Sequence, residues 1–167
     1  MKILQIGLGN MGANHLRVLN VLNGIEEITI FDKDSLKTKF YSDLYNIKGI
    51  ESLSEIKDKF FDGILIASPA FTHSDIFKQI ASNSKNIFIE KPVGISMSEK
   101  LEIKKIADNN KINVQIGFIE RFNPVVQELK KIIENQEVLI ADIQRTNKLS
   151  SRITDVGVTE DLMIHDI

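Results

Sequence analysis

A short apolar strand, a glycine turn and a helix open this chain, and few folds accommodate that order. Lys2–Ile6 is an apolar run, Gly7-Leu8-Gly9-Asn10-Met11-Gly12 follows it, and residues 11–23 carry a helical pattern. Gly7 permits the tight turn from strand to helix, and Gly9 lets the backbone approach a pyrophosphate. Gly12 lets the helix pack closely on the strand. The first N–H groups of that helix then face the anion. The Gly-x-Gly-x-x-Gly string is weak evidence alone, but between a strand and a helix it stands in its confirming context. An acidic residue is expected about 20 positions further on, to bind the ribose 2′-hydroxyl. Asp32 stands there, at the end of the next apolar run, Glu27–Phe31. Its carboxylate repels a 2′-phosphate, so the expected cofactor is NAD, with NADP the lesser candidate beside Lys33. The plain alternative is a glycine turn followed by an Asp that caps a strand.

Strand and helix patterns then alternate along most of the chain. Ser35–Tyr45 is helical, and Ser52-Leu53-Ser54-Glu55 has capping-box spacing and opens another helix. Residues 63–67 form a strand, residues 72–82 a helix, and Asn86–Ile89 a strand. A second capping box, Ser96-Met97-Ser98-Glu99, starts a helix over residues 97–109, and Asn113–Ile116 is a further strand. The fold class is therefore α/β, a Rossmann-type doubly wound parallel sheet with right-handed crossovers and helices on both faces.

The pattern changes after Gly117. Pro124 begins a helix, residues 138–144 look like a strand leaving the first sheet, and residues 147–158 show no clear period. The division expected is a cofactor-binding domain over residues 1–120 and the beginning of a second domain over residues 121–167. About 45 residues with one evident strand bury little core, so residues 138–144 are expected to be disordered or to pair with another copy.

Composition closes several alternatives. A net charge of -2 in 167 residues gives no electrostatic reason to expect nucleic acid. With no cysteine, disulfides, thiolate metal sites and cysteine nucleophiles are excluded, and no metal site is expected. The opening apolar run is too short for a signal segment or a membrane span. The expectation is a cytoplasmic chain with a small-molecule ligand.

A second feature speaks for chemistry rather than binding alone. Glu90-Lys91-Pro92 follows the strand Asn86–Ile89. Ligands of an open parallel sheet collect outside the carboxyl ends of its strands, so Lys91 is expected beside whatever residues 7–12 hold. A lysine at the end of an inner strand is costly to bury unless it pairs or loses its proton. Glu90 is its local partner, and the peptide before Pro92 is a candidate cis bond.

Gly7-x-Gly9-x-Met11-Gly12-x-x-His15, Ser68-Pro69-Ala70-x-x-His73, Glu90-Lys91-Pro92, Gly117-Phe118-x-x-Arg121-Phe122-Asn123-Pro124 and Asp161-Leu162-Met163-Ile164-His165 occur in that order. Together they resemble the glucose-fructose oxidoreductase and inositol dehydrogenase (Gfo/Idh/MocA) family of NAD(P)-dependent sugar dehydrogenases. Members of that family are about twice this length, with a carboxyl-terminal α+β domain whose open sheet often forms the oligomer interface. This chain is similar to their amino-terminal half, which implies that residues 121–167 are the truncated start of that α+β domain, and the complete protein is expected to be a homo-oligomer.

The resemblance implies a set of roles. Gly7, Gly9, Asn10, Met11, Gly12, Asp32, Ser68, Pro69, His73, Glu90 and Lys91 would line the cofactor, with Lys91 beside the nicotinamide and the reacting hydroxyl. Asp161 and His165 are spaced i, i+4, so a helix would project both from one face. An imidazole ordinarily titrates at about pH 6.5, which suits removal of a hydroxyl proton near neutrality. His165 would be the general acid/base, Asp161 would orient it or the substrate, and either Lys91 or His165 takes the proton. His73 is as readily a capping or cofactor-edge residue as a catalytic one, and His15 is expected to pack against the sheet. Arg121 binds an anionic substrate group or pairs with Glu120, while Asn123 and Pro124 shape the hinge. The stretch Ile119-Glu120-Arg121-Phe122-Asn123-Pro124, with Asp155-Val156-Gly157-Val158, is similar to the branch that oxidises UDP-N-acetyl sugars at the 3-hydroxyl. Arg152 would then meet a diphosphate.

Two readings compete with the dehydrogenase. One is a non-catalytic NAD-sensing or scaffold protein, which needs only the glycine loop and Asp32. The other is a Rossmann domain serving different nucleotide chemistry, such as methyl transfer from S-adenosylmethionine.

Overall fold

The computed structural model describes residues 1–142. Six strands form one sheet in the order β3-β2-β1-β4-β5-β6, and every neighbouring pair is parallel. They are β1 Lys2–Ile6, β2 Glu27–Phe31, β3 Lys48–Gly49, β4 Gly63–Ile66, β5 Asn86–Ile89 and β6 Asn113–Ile116. The helices are α1 Asn10–Leu19, α2 Ser35–Tyr45, α3 His73–Ile80, α4 Met97–Asn110 and α5 Pro124–Ile133. The order is the doubly wound one expected, reversing between β1 and β4.

Alternation along the strands distributes the two apolar layers. Leu4 and Ile6 of β1, Ile64 and Ile66 of β4, and Ile87 and Ile89 of β5 pack with Phe77 and Ile80 of α3 and Ile103 of α4. On the other face Ile28 and Ile30 of β2 meet Leu8, Leu16 of α1, and Tyr41 and Tyr45 of α2. The inner strands are covered on both faces, which is why they read as near-continuous apolar runs.

Several local expectations are corrected. The first helix ends at Leu19 rather than near residue 23, and the chain turns through Gly24 at φ 87°. Ser52 and Glu55 do make a reciprocal capping box, but it opens only the short 3-10 turn Leu53–Ile56. The box of Ser96 and Glu99, by contrast, starts the full helix α4. The strand β3, two residues long, carries no sequence period and was not expected. Residues 138–142 form no strand; the remainder of residues 138–144 lies outside the described residues.

The chain divides into two compact units, Met1–Gly117 and Phe118–Ile167. The described part of the second holds the 3-10 turn Ile119–Phe122 and α5. Asn123 caps α5 by accepting the Val125 N–H at 3.0 Å, and Pro124 occupies its first turn. Among the described residues no helix is long and apolar enough to cross a membrane.

Candidate cofactor-binding and active site

Because all strands are parallel, their carboxyl ends share one rim. That rim brings together the glycine loop after β1, Asp32 after β2, Ser68-Pro69 after β4 and Glu90-Lys91-Pro92 after β5.

Each glycine of the loop has a separate reason. Gly7 adopts φ 96°, a region costly to residues with a Cβ, and a Cβ there would come 2.5 Å from the Ala67 and Ser68 backbone. At Gly12 a Cβ would lie 2.1 Å from the Gly7 carbonyl oxygen, so close packing of α1 on the loop requires glycine. At Gly9 a Cβ would meet nothing within 4 Å. The open side of the loop is thus at Gly9, the position where the expected pyrophosphate would need space. Gly9 is also the N-cap of α1 and offers no side-chain cap, and the first turn holds no acidic residue. The first N–H groups of α1 keep their capacity for an anion.

Two side chains hold the loop in shape. Gln5 is fully buried in β1, and its Nε2 donates to Gly7 O at 3.2 Å and to Gly12 O at 2.7 Å. Asp32 accepts the Leu8 N–H at 2.6 Å with Oδ2 and the Asp34 N–H at 2.8 Å with Oδ1. Gln5 was missed by sequence reasoning, although a polar residue inside a buried strand run was its signal. Beside the loop, between α1 and α2, an open cavity of about 360 Å³ is lined by Leu8, Gly9, Asn10, Lys37 and Phe40 among others.

The peptide between Lys91 and Pro92 is cis. Glu90, 6% exposed, accepts the Lys91 backbone N–H at 3.1 Å with Oε2. Its Oε1 lies 2.6 Å from Nε2 of His15. His15 therefore does more than pack on the sheet: its ring meets Phe88 edge-on and reaches the carboxylate.

His73 is buried at the start of α3, with Nε2 2.9 Å from Ser68 O and Nδ1 3.0 Å from Pro92 O. It joins the loop after β4 to the loop after β5. A neutral imidazole donates to only one of these carbonyls. Burial holds its pKa below the ordinary value, while the carbonyls of Ser68, Pro92 and Val93 pull the other way, and burial prevails. Ser68 Oγ accepts from Thr72 Oγ1 at 2.8 Å, and Pro69 O accepts the Thr72 N–H at 2.9 Å, closing the turn that leads into α3.

In the second unit the Arg121 guanidinium lies over the Phe118 ring, 5.0 Å from its centroid, and Glu120 accepts from Asn123 Nδ2. Arg152, Asp161 and His165 lie outside the described residues. Among the described residues no group of three or more acidic, His or Cys side chains gathers as a metal centre would.

Residues 1–118 match an oxidoreductase family described by its NAD-binding Rossmann fold. The uncharacterized oxidoreductase YrbE of Bacillus subtilis is 30% identical over 96% of this chain and 50% of its own length. An inositol 2-dehydrogenase of Pseudarthrobacter chlorophenolicus is 29% identical over 99% of this chain and 50% of its own. Among solved structures, the WlbA dehydrogenase of Chromobacterium violaceum, in complex with NADH and UDP-GlcNAcA, superposes with a TM-score of 0.74. It is 21% identical, over 80% of this chain and 39% of that one. That likeness is one of fold. The chain spans about half the length, or less, of the curated relatives it matches.

Proposed function

The chain belongs to the Gfo/Idh/MocA oxidoreductase family, with its NAD-binding Rossmann fold, and from that premise we propose that it is the cofactor-binding part of a sugar dehydrogenase. The reaction is hydride transfer between a secondary hydroxyl carbon of a sugar and nicotinamide, and the finer reading of the substrate is a nucleotide sugar. The observation that carries the proposal is Lys91. It follows β5 on the same rim as the glycine loop, two strands along the sheet from β1.

The chain's own residues divide the work. The N–H groups of α1 beyond Gly9 bind the pyrophosphate, and Asp32 takes the ribose hydroxyl and disfavours a 2′-phosphate. NAD supplies the hydride acceptor when bound. Oxidising the alcohol also requires its hydroxyl proton to leave, and Lys91 holds or removes that proton at the substrate oxygen. His165, with Asp161 orienting it, is assigned the partner role of general acid/base. Arg121 and Arg152 are assigned to an anionic group of the substrate. Support for a nucleotide sugar comes from the fold shared with the WlbA dehydrogenase and its bound UDP-GlcNAcA, and for a polyol or simple sugar from the inositol 2-dehydrogenase relative. Homo-oligomeric assembly of the complete protein in the cytoplasm belongs to the same proposal.

Nicotinamide fluorescence titration of the chain with NADH and, separately, NADPH tests the cofactor part. Tight binding that prefers NADH is expected, and a folded chain that binds neither refutes it. In the complete protein Lys91→Ala is expected to abolish turnover with NADH binding intact. A panel of UDP-sugars and polyols assayed with NAD then identifies the substrate class.

A further inference from the structure

Glu90 stands between the two parts of the proposed site. It closes β5 directly before Lys91, and its carboxylate is buried. Three separate observations concern how that carboxylate is seated. His15, in the second turn of the helix that follows the glycine loop, meets Oε1 at 2.6 Å. The backbone N–H of Lys91 donates to Oε2 at 3.1 Å. Behind it, Gly117 leaves the necessary room: a Cβ there would come 2.8 Å from Oε2, 3.0 Å from Cδ and 3.0 Å from Phe88 Cζ.

A buried carboxylate is stable only when its lone pairs are used. Here they are used by groups from two different elements. His15 belongs to α1, whose amino end is the proposed pyrophosphate site. Lys91 belongs to the loop after β5, and Gly117 closes the far side at the end of β6. The His15 ring is itself fixed by its edge contact with Phe88, 5.3 Å between centroids. One carboxylate thereby ties the Lys91 peptide to the helix that would hold the cofactor.

We infer that His15, Glu90 and Gly117 form a positioning unit that sets the Lys91 backbone relative to α1, and through it the placement of Lys91 against the cofactor and substrate. The inference rests on the reading of Lys91 as the active-site lysine. Glu90 acts through Lys91, and His15 acts through Glu90. Displacing a reacting group by an ångström costs a large factor in rate, so such a unit is felt in turnover before it is felt in cofactor affinity.

The test begins with amide hydrogen exchange on the chain. The Lys91 N–H reports the bond to Glu90, and the Glu90 N–H, bonded to Ile66 O at 2.9 Å, is the internal reference. In His15→Ala the Lys91 amide is expected to exchange on the order of tenfold faster, with the Glu90 amide unchanged. His15→Gln, which can still donate at the Nε2 position, restores protection. Gly117→Ala alters no charge but crowds Oε2, and is expected to reproduce the loss. In the complete protein His15→Ala lowers kcat by about tenfold or more while the NADH Kd stays within about threefold, and His15→Gln recovers the rate. Unchanged Lys91 exchange in both His15→Ala and Gly117→Ala overturns the inference. So does a His15→Gln variant no better than His15→Ala, or lost protection with kcat intact. An NADH titration of the same wild-type sample separates the two ideas: failure to bind there refutes the function proposed above, while exchange still reports on the bridge.

Discussion

Asp32 accepts the Leu8 backbone N–H at 2.6 Å, which fastens the carboxylate at the end of β2 to the glycine loop after β1. The side chain assigned to the ribose is therefore also a clamp on the loop that would hold the pyrophosphate, and its backbone N–H is anchored in turn on Thr38 Oγ1 at 3.0 Å. On that assignment, cofactor choice and loop shape would be linked through one residue. Asp32→Ala is expected to reduce the NADH over NADPH preference and to lower stability by about 1–2 kcal/mol, since it removes hydrogen bonds to a charged acceptor. Asp32→Asn keeps an acceptor for Leu8 and is expected to lose less stability while still relaxing the preference. Paired titrations and denaturant melts measure both, and an unaltered preference in either variant excludes Asp32 from the ribose.

Gly9 and Gly12 are expected to separate binding from folding. A methyl at Gly9 meets no atom within 4 Å and suits its extended backbone. Gly9→Ala should therefore leave stability within about 0.5 kcal/mol of the parent. It should weaken NADH by about tenfold or more, which is about 1.4 kcal/mol. Gly12→Ala places its methyl against the Gly7 carbonyl and should cost about 1–3 kcal/mol or more through forced backbone shifts. Thermal melts beside fluorescence titrations would show the contrast. Full NADH affinity in Gly9→Ala would move the pyrophosphate away from the loop.

Gln5 offers a test of the loop's support from beneath. Gln5→Leu removes the donor that serves Gly7 O and Gly12 O, and a loss of about 1–3 kcal/mol is expected from carbonyls left without it. Gln5→Glu, which cannot donate when ionised and buries a charge, should be worse than Gln5→Leu. A Gln5→Glu variant as stable as the parent, by urea denaturation, would rule out that hydrogen-bonding role.

His73 predicts an acid sensitivity. Its folded-state pKa is lowered by burial, so above the ordinary value of 6.5 the ring is neutral in both states. As the pH falls below about 6.5 the unfolded chain takes the proton first, and stability is lost as the pH falls through the folded value. His73→Gln removes that titration. Between about pH 7.5 and 5 the parent is expected to lose more stability than His73→Gln, the remaining titrating groups being common to both. Parallel slopes in urea melts would show that His73 does not contribute.

Legibility in the sequence followed the range of each interaction. The strands β1, β2, β5 and β6 and the helix α2 were readable to their ends because turn residues bracket short apolar or amphipathic runs. The two-residue β3 has no period to read, and it exists because Ile30 and its neighbours offer it a ladder. Ser52 and Glu55 sealed a turn as their spacing said, but a capping box starts a helix without extending it. At the rim, the glycines, Asp32 and Glu90-Lys91-Pro92 were legible because their spacing within one βα unit or one strand end is local. The His15 to Glu90 contact was not. Seventy-five positions separate the two residues, and they meet only because the sheet places β4 beside β1 and β5 beside β4. Gln5 announced itself by polarity, but its partners are backbone carbonyls, and their directions require the folded loop.

The position of β1 also has a kinetic side. It pairs on one edge with β2, where Ile3 meets Ile28, and on the other with β4, where Ile3 meets Gly63, sixty positions away. Closing so long a loop before its contacts reward it is slow. Until β4 docks, Leu4 and Ile6 lack Ile64 and Ile66, which share their apolar cluster. The same central placement that gathers the rim around the glycine loop thus gives β1 its most distant strand partner, and the docking of β4 is expected late in folding.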